Sequence, residues 1–183
     1  MIVAASTTWY AARAGGVLAY LLVTASVAVG LLMSGRARLR HWPRFALEDV
    51  HRFLGILAGT FIVIHGGALL LDRVVPFSLS QLLVPGTDPY RPLAVACGVV
   101  GAELLAALAV TNHYRKRVPY HWWRRAHILN FAVWFLALVH GLTAGTDAST
   151  TWALVLYAGS AWLVLALLVH RLSVRWPQPA RNS

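Results

Sequence analysis

HRFLGILAGTFIVIH, residues 51–65, is the stretch that decides how this chain folds. Between its two histidines only Arg52 is charged and only Thr60 is otherwise polar. The apolar character continues outward on both sides and covers roughly 48–71, more than the ~20 residues a helix needs to cross the ~30 Å hydrocarbon layer of a bilayer. A strand of that length is not an option there, because its unpaired backbone groups find no water in lipid. As a helix, the segment sets His51 and His65 roughly 20 Å apart along its axis. Fourteen steps of about 100° return to within roughly 40° of the start, so both imidazoles leave one face.

Four further apolar runs of spanning length follow the same logic, at about 14–33, 92–112, 123–143 and 152–170. The expectation is an all-α integral membrane protein, a five-helix transmembrane bundle forming a single domain over 1–183. Composition agrees: 58% of residues are hydrophobic and 12% charged, against roughly 25% charged in ordinary soluble domains. A soluble globule of this size cannot hide so much apolar surface, and disorder is excluded by the same balance. The first run lacks a basic leader and a small-residue cleavage site, so it reads as a retained helix. The lone Cys97 offers neither a disulfide nor a CxxC pair.

The charge of +10 resembles a nucleic-acid footprint until it is placed on the chain. Thirteen cations fall on one side of a five-span layout: Arg36, Arg38, Arg40, Arg44, Arg52, Arg115, Lys116, Arg117, Arg124, Arg125, Arg171, Arg175 and Arg181. Three fall on the other: Arg13, Arg73 and Arg91. The positive-inside rule then places the N-terminus outside and the C-terminus in the cytoplasm. The charge is a topology signal that also suits anionic lipid, so the bilayer and not nucleic acid is the expected partner. The outer connection 72–91 carries a mildly apolar centre, FSLSQLL, that reads as a short interfacial helix.

The fourth run repeats the histidine pattern. HILNFAVWFLALVH sets His127 and His140 thirteen residues apart. One span intervenes, so this helix runs parallel to the second. His51 and His127 then share an inner level, and His65 and His140 an outer one. Thirteen steps give about 220°, so the second pair would diverge on a straight helix; a kink, local π or 3₁₀ geometry, or different approach directions must reconcile them. Two imidazoles facing each other across a gap between helices form a bis-histidine site for a flat iron macrocycle, which predicts two haem groups. Gly55 and Gly59 form a G-x-x-x-G step between the levels; a haem slot and helix packing account for it equally well. Arg52, Arg124 and Arg125 at the inner level, and Arg73 and Arg91 at the outer, are candidate partners for propionates.

These residues also carry a resemblance. The H-R-x-L-G…H pattern from His51 to His65 and the R-R-x-H…H-G pattern from Arg124 to Gly141 resemble the ferric-reductase-like transmembrane domain. So do DPYRPLAVACG and HGLTAGTD, which look like small bacterial members. That family includes the membrane part of NADPH oxidases, yeast-type ferric reductases and the haem subunit of the bacterial periplasmic methionine sulfoxide reductase system. The resemblance implies a multi-pass protein of a bacterial inner (plasma) membrane. It implies that both haems are of the b type, with His51 and His127 holding the inner haem iron and His65 and His140 the outer one. Electrons would pass from a cytoplasmic donor to an acceptor at the outer face, either a small molecule or metal, or a periplasmic oxidoreductase. Complete family members carry a cytoplasmic flavin and nicotinamide module. Here 171–183 is expected to be a short tail, no G-x-G-x-x-G fingerprint follows a predicted strand, and the sixth span of longer members is not expected. The chain is therefore expected to be an oxidoreductase component that is not self-sufficient with NAD(P)H. Its electrons would come from a separate flavoprotein, a quinol, or a flavin or quinone held at the inner side.

A redox-silent histidine-lined proton or metal pathway is the competing class, but only Glu103 lies between the histidine levels to serve it. Glu103 itself has four readings: a proton carrier, an arginine partner, a bond to a ligand imidazole, or a neutral acid bonded to a neighbouring helix. Phe61, Phe131, Trp134 and Phe135 lie between the levels, as path lining or as packing. Trp122 and Trp123 read as an interfacial belt. Asp72, Asp88 and Tyr90 join Arg73 and Arg91 around the outer mouth. His41, His113, His121 and His170 read as interfacial bystanders, with His121 the rival to His127.

Overall fold

A computed structural model describes residues 7–34, 42–73, 76–89 and 91–173. Arg36, Arg38, Arg40, His41, Tyr90, Arg175 and Arg181 lie outside the described residues. The described residues form seven helices: α1 (Thr7–Ser34), α2 (Arg44–Leu71), α3 (Leu79–Leu83), α4 (Pro92–His113), α5 (Tyr120–Ile128), α6 (Asn130–Ala144) and α7 (Thr151–Ser173). There is no strand among the described residues. Five segments are long and apolar enough to cross a membrane: α1, α2, α4, α7, and α5 with α6 taken together as Tyr120–Ala144. Each helical segment runs past its apolar stretch at one end or both. α2 has 28 residues, and at about 1.5 Å each that is about 42 Å, longer than the hydrocarbon layer is thick.

Local chemistry sets the helix starts. Pro43 precedes α2 and Pro119 precedes α5, while Pro92 opens α4. There proline's missing N–H costs nothing, because the first turn has no intrahelical partner for it. The short α3 arises from a capping box, with Ser78 accepting from the Gln81 N–H and Gln81 accepting from the Ser78 N–H. This is the helix expected within FSLSQLL, and Leu79 and Leu83 stand exposed on it.

α1 is the hub. Its buried positions, among them Ala12, Gly15, Ala19, Val23, Val27 and Leu31, recur at three- and four-residue steps and form one stripe. It packs closely along α2 and also touches α6 and α7, while α4 packs on α6. Small side chains at Ala12, Gly15 and Ala19 permit the close α1–α2 approach, the usual basis of packing where lipid removes the hydrophobic drive. A polar chain stitches α1 to α6 and α7. The Trp134 indole N–H donates to Thr24 Oγ1 at 3.1 Å, and the Thr24 hydroxyl donates to the Tyr20 carbonyl at 2.9 Å. The Tyr20 hydroxyl meets Ser160, whose hydroxyl also bonds the Tyr157 carbonyl. The Tyr20 and Tyr157 rings stand edge to face, 5.0 Å apart.

Three contacts gather the connections at one end of the bundle. The Thr8 hydroxyl donates to Asp72 at 2.8 Å, Arg13 pairs with Asp147, and Arg91 donates to the Thr143 carbonyl at 2.6 Å. Arg13, Arg73 and Arg91 therefore share that end. Arg44, Arg52, Arg115, Lys116, Arg117, Arg124, Arg125 and Arg171 lie toward the other, hereafter the basic end.

Candidate functional site

The fourth span is not one helix. It breaks at Leu129, whose N–H turns back to Ala126 at 2.9 Å in a tight i to i−3 bond. The break frees the His127 carbonyl from its ordinary partner, and the Asn130 side-chain amide takes it at 2.8 Å. In an apolar layer that amide covers the His127 acceptor, as interrupting a spanning helix requires. A local 3₁₀-type turn is one of the geometries left open by the thirteen-residue spacing. With it, both histidines of the span face α2.

The four histidines meet in two pairs. The His51 and His127 rings lie 5.9 Å apart, centre to centre, with their planes at 65°. The His65 and His140 rings lie 6.2 Å apart at 75°. Two imidazoles gripping one ion from opposite sides need about 2 Å of bond each, and about 1 Å more on each side to the ring centres, giving roughly 6 Å. Both pairs match that span. No group of three or more His, Cys, Asp or Glu converges among the described residues. Ordinary zinc sites need about three or four protein donors, so two opposed imidazoles suit an ion whose other positions a macrocycle fills.

Three of the rings are held in one tautomer. His65 Nδ1 lies 2.6 Å from the Ala12 carbonyl, His140 Nδ1 2.8 Å from the Ala94 carbonyl, and His51 Nδ1 3.0 Å from the Ser26 carbonyl. A carbonyl oxygen only accepts, so Nδ1 carries the proton and Nε2 keeps its lone pair. That is the arrangement by which a ligating imidazole is oriented and made more basic. His127 differs: its ring stacks on Trp123 at 5.2 Å and its Nδ1 has only the Asn130 amide, at 3.5 Å.

α2 and α6 bring the pairs together without packing closely on one another; each is carried by a neighbour, α1 and α4 respectively. On the α2 face between the levels the helical period places Leu54, Gly55, Ala58 and Ile62, with Gly59 to one side. A methyl at Gly55 or Gly59 would meet nothing within 4 Å. The G-x-x-x-G step is thus not a helix-packing contact, and open space lies beside it.

These features fit one family. A family model described as "Ferric reductase like transmembrane component" matches residues 15–139. The chain belongs to the ferric-reductase-like transmembrane family. The match runs from within α1 to the residue before His140, so three of the four paired histidines fall inside it and the fourth follows directly. No solved structure matches the chain.

Within this family member the other expected residues fall as follows. Arg52 is exposed and lies 3.6 Å from Asp49. Arg124 and Arg125 are exposed, and Arg125 covers the Trp122 ring at 5.5 Å. Arg73 is exposed, whereas Arg91 is half-buried on the Thr143 carbonyl. Asp72 and Asp88 are buried, and they tie the connections to α1 and to the start of α4. Trp134 is buried and Phe61 and Phe131 are half-buried, but Phe135 is exposed on the bundle surface. His113, His121 and His170 are exposed. Glu103 is exposed on α4 and makes no hydrogen bond or ion pair among the described residues, so neither an arginine nor a ligand imidazole holds it.

Sequence reasoning missed the glycines that touch the rings. They lie on α1 and α4, not beside the histidines in sequence. A methyl on Gly98 would stand 2.7 Å from His140 Nδ1, one on Gly16 3.1 Å from His65 Nδ1, and one on Gly30 3.4 Å from His51 Cε1. Glycine inside an apolar span was the available signal, but only the helix pairing says which ring each one serves.

Proposed function

We propose that this multi-pass membrane protein is a two-haem b transmembrane electron-transfer component. His51 and His127 hold the iron at the basic end, and His65 and His140 hold the iron at the other end. The observation that carries this reading is the pair of ring separations, 5.9 and 6.2 Å, each with Nε2 left unclaimed where a carbonyl holds Nδ1. Haem, when bound, supplies one-electron redox chemistry at each level.

The protein's own contribution is to fix imidazole tautomers, keep the two levels roughly 20 Å apart, and surround them with apolar side chains that exclude water. The segregated cations support a cytoplasmic basic end, with electrons entering there and leaving at the outer face. The exposed arginines of that end, Arg124 and Arg125 with Arg115 and Arg117, suit docking of an acidic electron-donating flavoprotein, or contact with anionic lipid around a quinol. Arg52, next to His51 in sequence, and Arg91, three residues before the Ala94 that holds His140, are the candidate partners for propionates. The acceptor outside is a metal chelate or a periplasmic oxidoreductase such as methionine sulfoxide reductase. A histidine-lined proton path is disfavoured because the α2 face between the levels carries Leu54, Gly55, Ala58 and Ile62, none of which carries a proton.

The test begins with colour. Protein purified from haem-replete cells should give a reducible low-spin b-type spectrum and two haems per chain by pyridine haemochrome. In proteoliposomes, a reductant supplied on the basic side should reduce a ferric chelate, or a periplasmic partner, held on the other. A colourless protein ends the proposal.

A further inference from the structure

Three of the four histidines are seated by the same device, repeated at a fixed interval. On α1, Ala12 accepts from His65 and Gly16 lies beneath the ring; on the same helix Ser26 accepts from His51 and Gly30 lies beneath that ring. Each acceptor precedes its glycine by four residues. The two acceptors stand as far apart on α1 as the two histidines stand on α2. α4 repeats the device once, with Ala94 accepting from His140 and Gly98 beneath it.

The physical reason lies in helix geometry. The N–H of residue i+4 bonds the carbonyl of residue i, so the side chain of residue i+4 stands beside that carbonyl and covers it. Glycine at i+4 leaves it bare. The second lone pair is then open to a donor on a neighbouring helix, and the ring can lie against the backbone. We infer that Gly16, Gly30 and Gly98 are positioning residues for haem ligation, each baring the carbonyl that orients one imidazole; this rests on the bis-histidine reading above.

The fourth place shows what happens without the glycine. Followed along α4 by the interval between His140 and His127, the acceptor position passes from Ala94 to Ala107 and the glycine position from Gly98 to Thr111. There the Thr111 hydroxyl donates to the Ala107 carbonyl at 2.8 Å and occupies it. His127 is the ring that no carbonyl holds.

A hydrogen bond from Nδ1 to a carbonyl makes the imidazole a stronger donor and favours ferric iron. Pushing the ring off its carbonyl therefore raises the midpoint potential of that haem alone. The methyl distances rank the effect: Gly98→Ala largest and Gly16→Ala next, both on the outer haem, while at Gly30 the methyl reaches only ordinary van der Waals contact, so Gly30→Ala should shift the inner haem little or not at all.

The experiment is a spectroelectrochemical titration of the purified holoprotein and these three variants, with Gly159→Ala as control. A methyl at Gly159 meets nothing within 4 Å. The expected result is an upward shift of the outer potential in Gly98→Ala and Gly16→Ala, with the inner potential and thermal midpoint unchanged. Loss of the outer haem alone from Gly98→Ala supports the inference equally. If Gly98→Ala does not fold, Gly16→Ala decides. The inference is overturned if Gly16→Ala and Gly98→Ala leave the outer potential where Gly159→Ala leaves it, or move both potentials alike. A wild-type protein without two haems instead overturns the underlying reading.

Discussion

Replacing His140 by Ala is the sharpest test of the pairing. The change removes one of the two nitrogens at the outer level and leaves Ala94 with only its helical hydrogen bond. The lost side-chain bond costs the fold about 1 kcal/mol, so the protein should remain purifiable. His127 lies thirteen residues away, or about 20 Å along the span, well beyond the roughly 7–10 Å within which substitutions usually couple. The inner level should therefore not register the change. Haem per chain by pyridine haemochrome should fall from two to one, and the surviving haem should keep the inner potential. His51→Ala should do the converse. Loss of both haems from each variant, with an unchanged thermal midpoint, would refute two independent levels. Full retention in either variant would refute the ligand assignment.

Other perturbations probe the surroundings. Carbon monoxide added to the reduced protein should replace the imidazole of His127, the one ring without a carbonyl partner, and shift the inner haem band only; an equal shift at both levels counts against the asymmetry. Trp134→Phe removes the bond to Thr24 at a cost of about 0.6 kcal/mol, the average for such bonds inside membranes. A thermal melt in detergent should show a small decrease with haem content unchanged, and a drop in haem content would mean the network supports the cofactor directly. Glu103→Leu should raise thermal stability, because an exposed carboxyl in an apolar layer is costly. A loss of haem or of reduction rate on that change would give Glu103 a part in the chemistry.

The spans and the depth of the four histidines were legible because both depend on counting along one helix. Apolar runs of membrane-crossing length can do little else, and a fixed rise per residue converts sequence spacing into depth. What counting does not supply is the identity of neighbours across helices. The contacts that seat the rings join Ala12 to His65, Ser26 to His51 and Ala94 to His140, residues far apart in sequence. The same limit applies to Trp123, which reads as part of an interfacial belt until its ring is found stacked on His127. Asp72 and Asp88 likewise read only as residues around the outer mouth, and the folded connections show them buried.

The thirteen-residue spacing is where the sequence pointed to something it did not specify. Fourteen residues keep His51 and His65 on one face of an unbroken α2, and both find a bared carbonyl on α1. One residue fewer in the fourth span sets His127 and His140 on different faces unless the helix is cut. Nothing in ILNF marks the cut, since it holds neither proline nor glycine; Asn130 supports it by capping the carbonyl that the break exposes. Breaking the helix restores His127 to its partner's side, but the α4 position thirteen residues on from Ala94, Ala107, offers it no open carbonyl. At that place Thr111 has closed the carbonyl with its own hydroxyl. The short spacing, the break at Leu129 and the unanchored imidazole are thus one structural choice. It falls at the basic end, where the donor is proposed to arrive, so the ligand held least firmly stands nearest the point of electron entry.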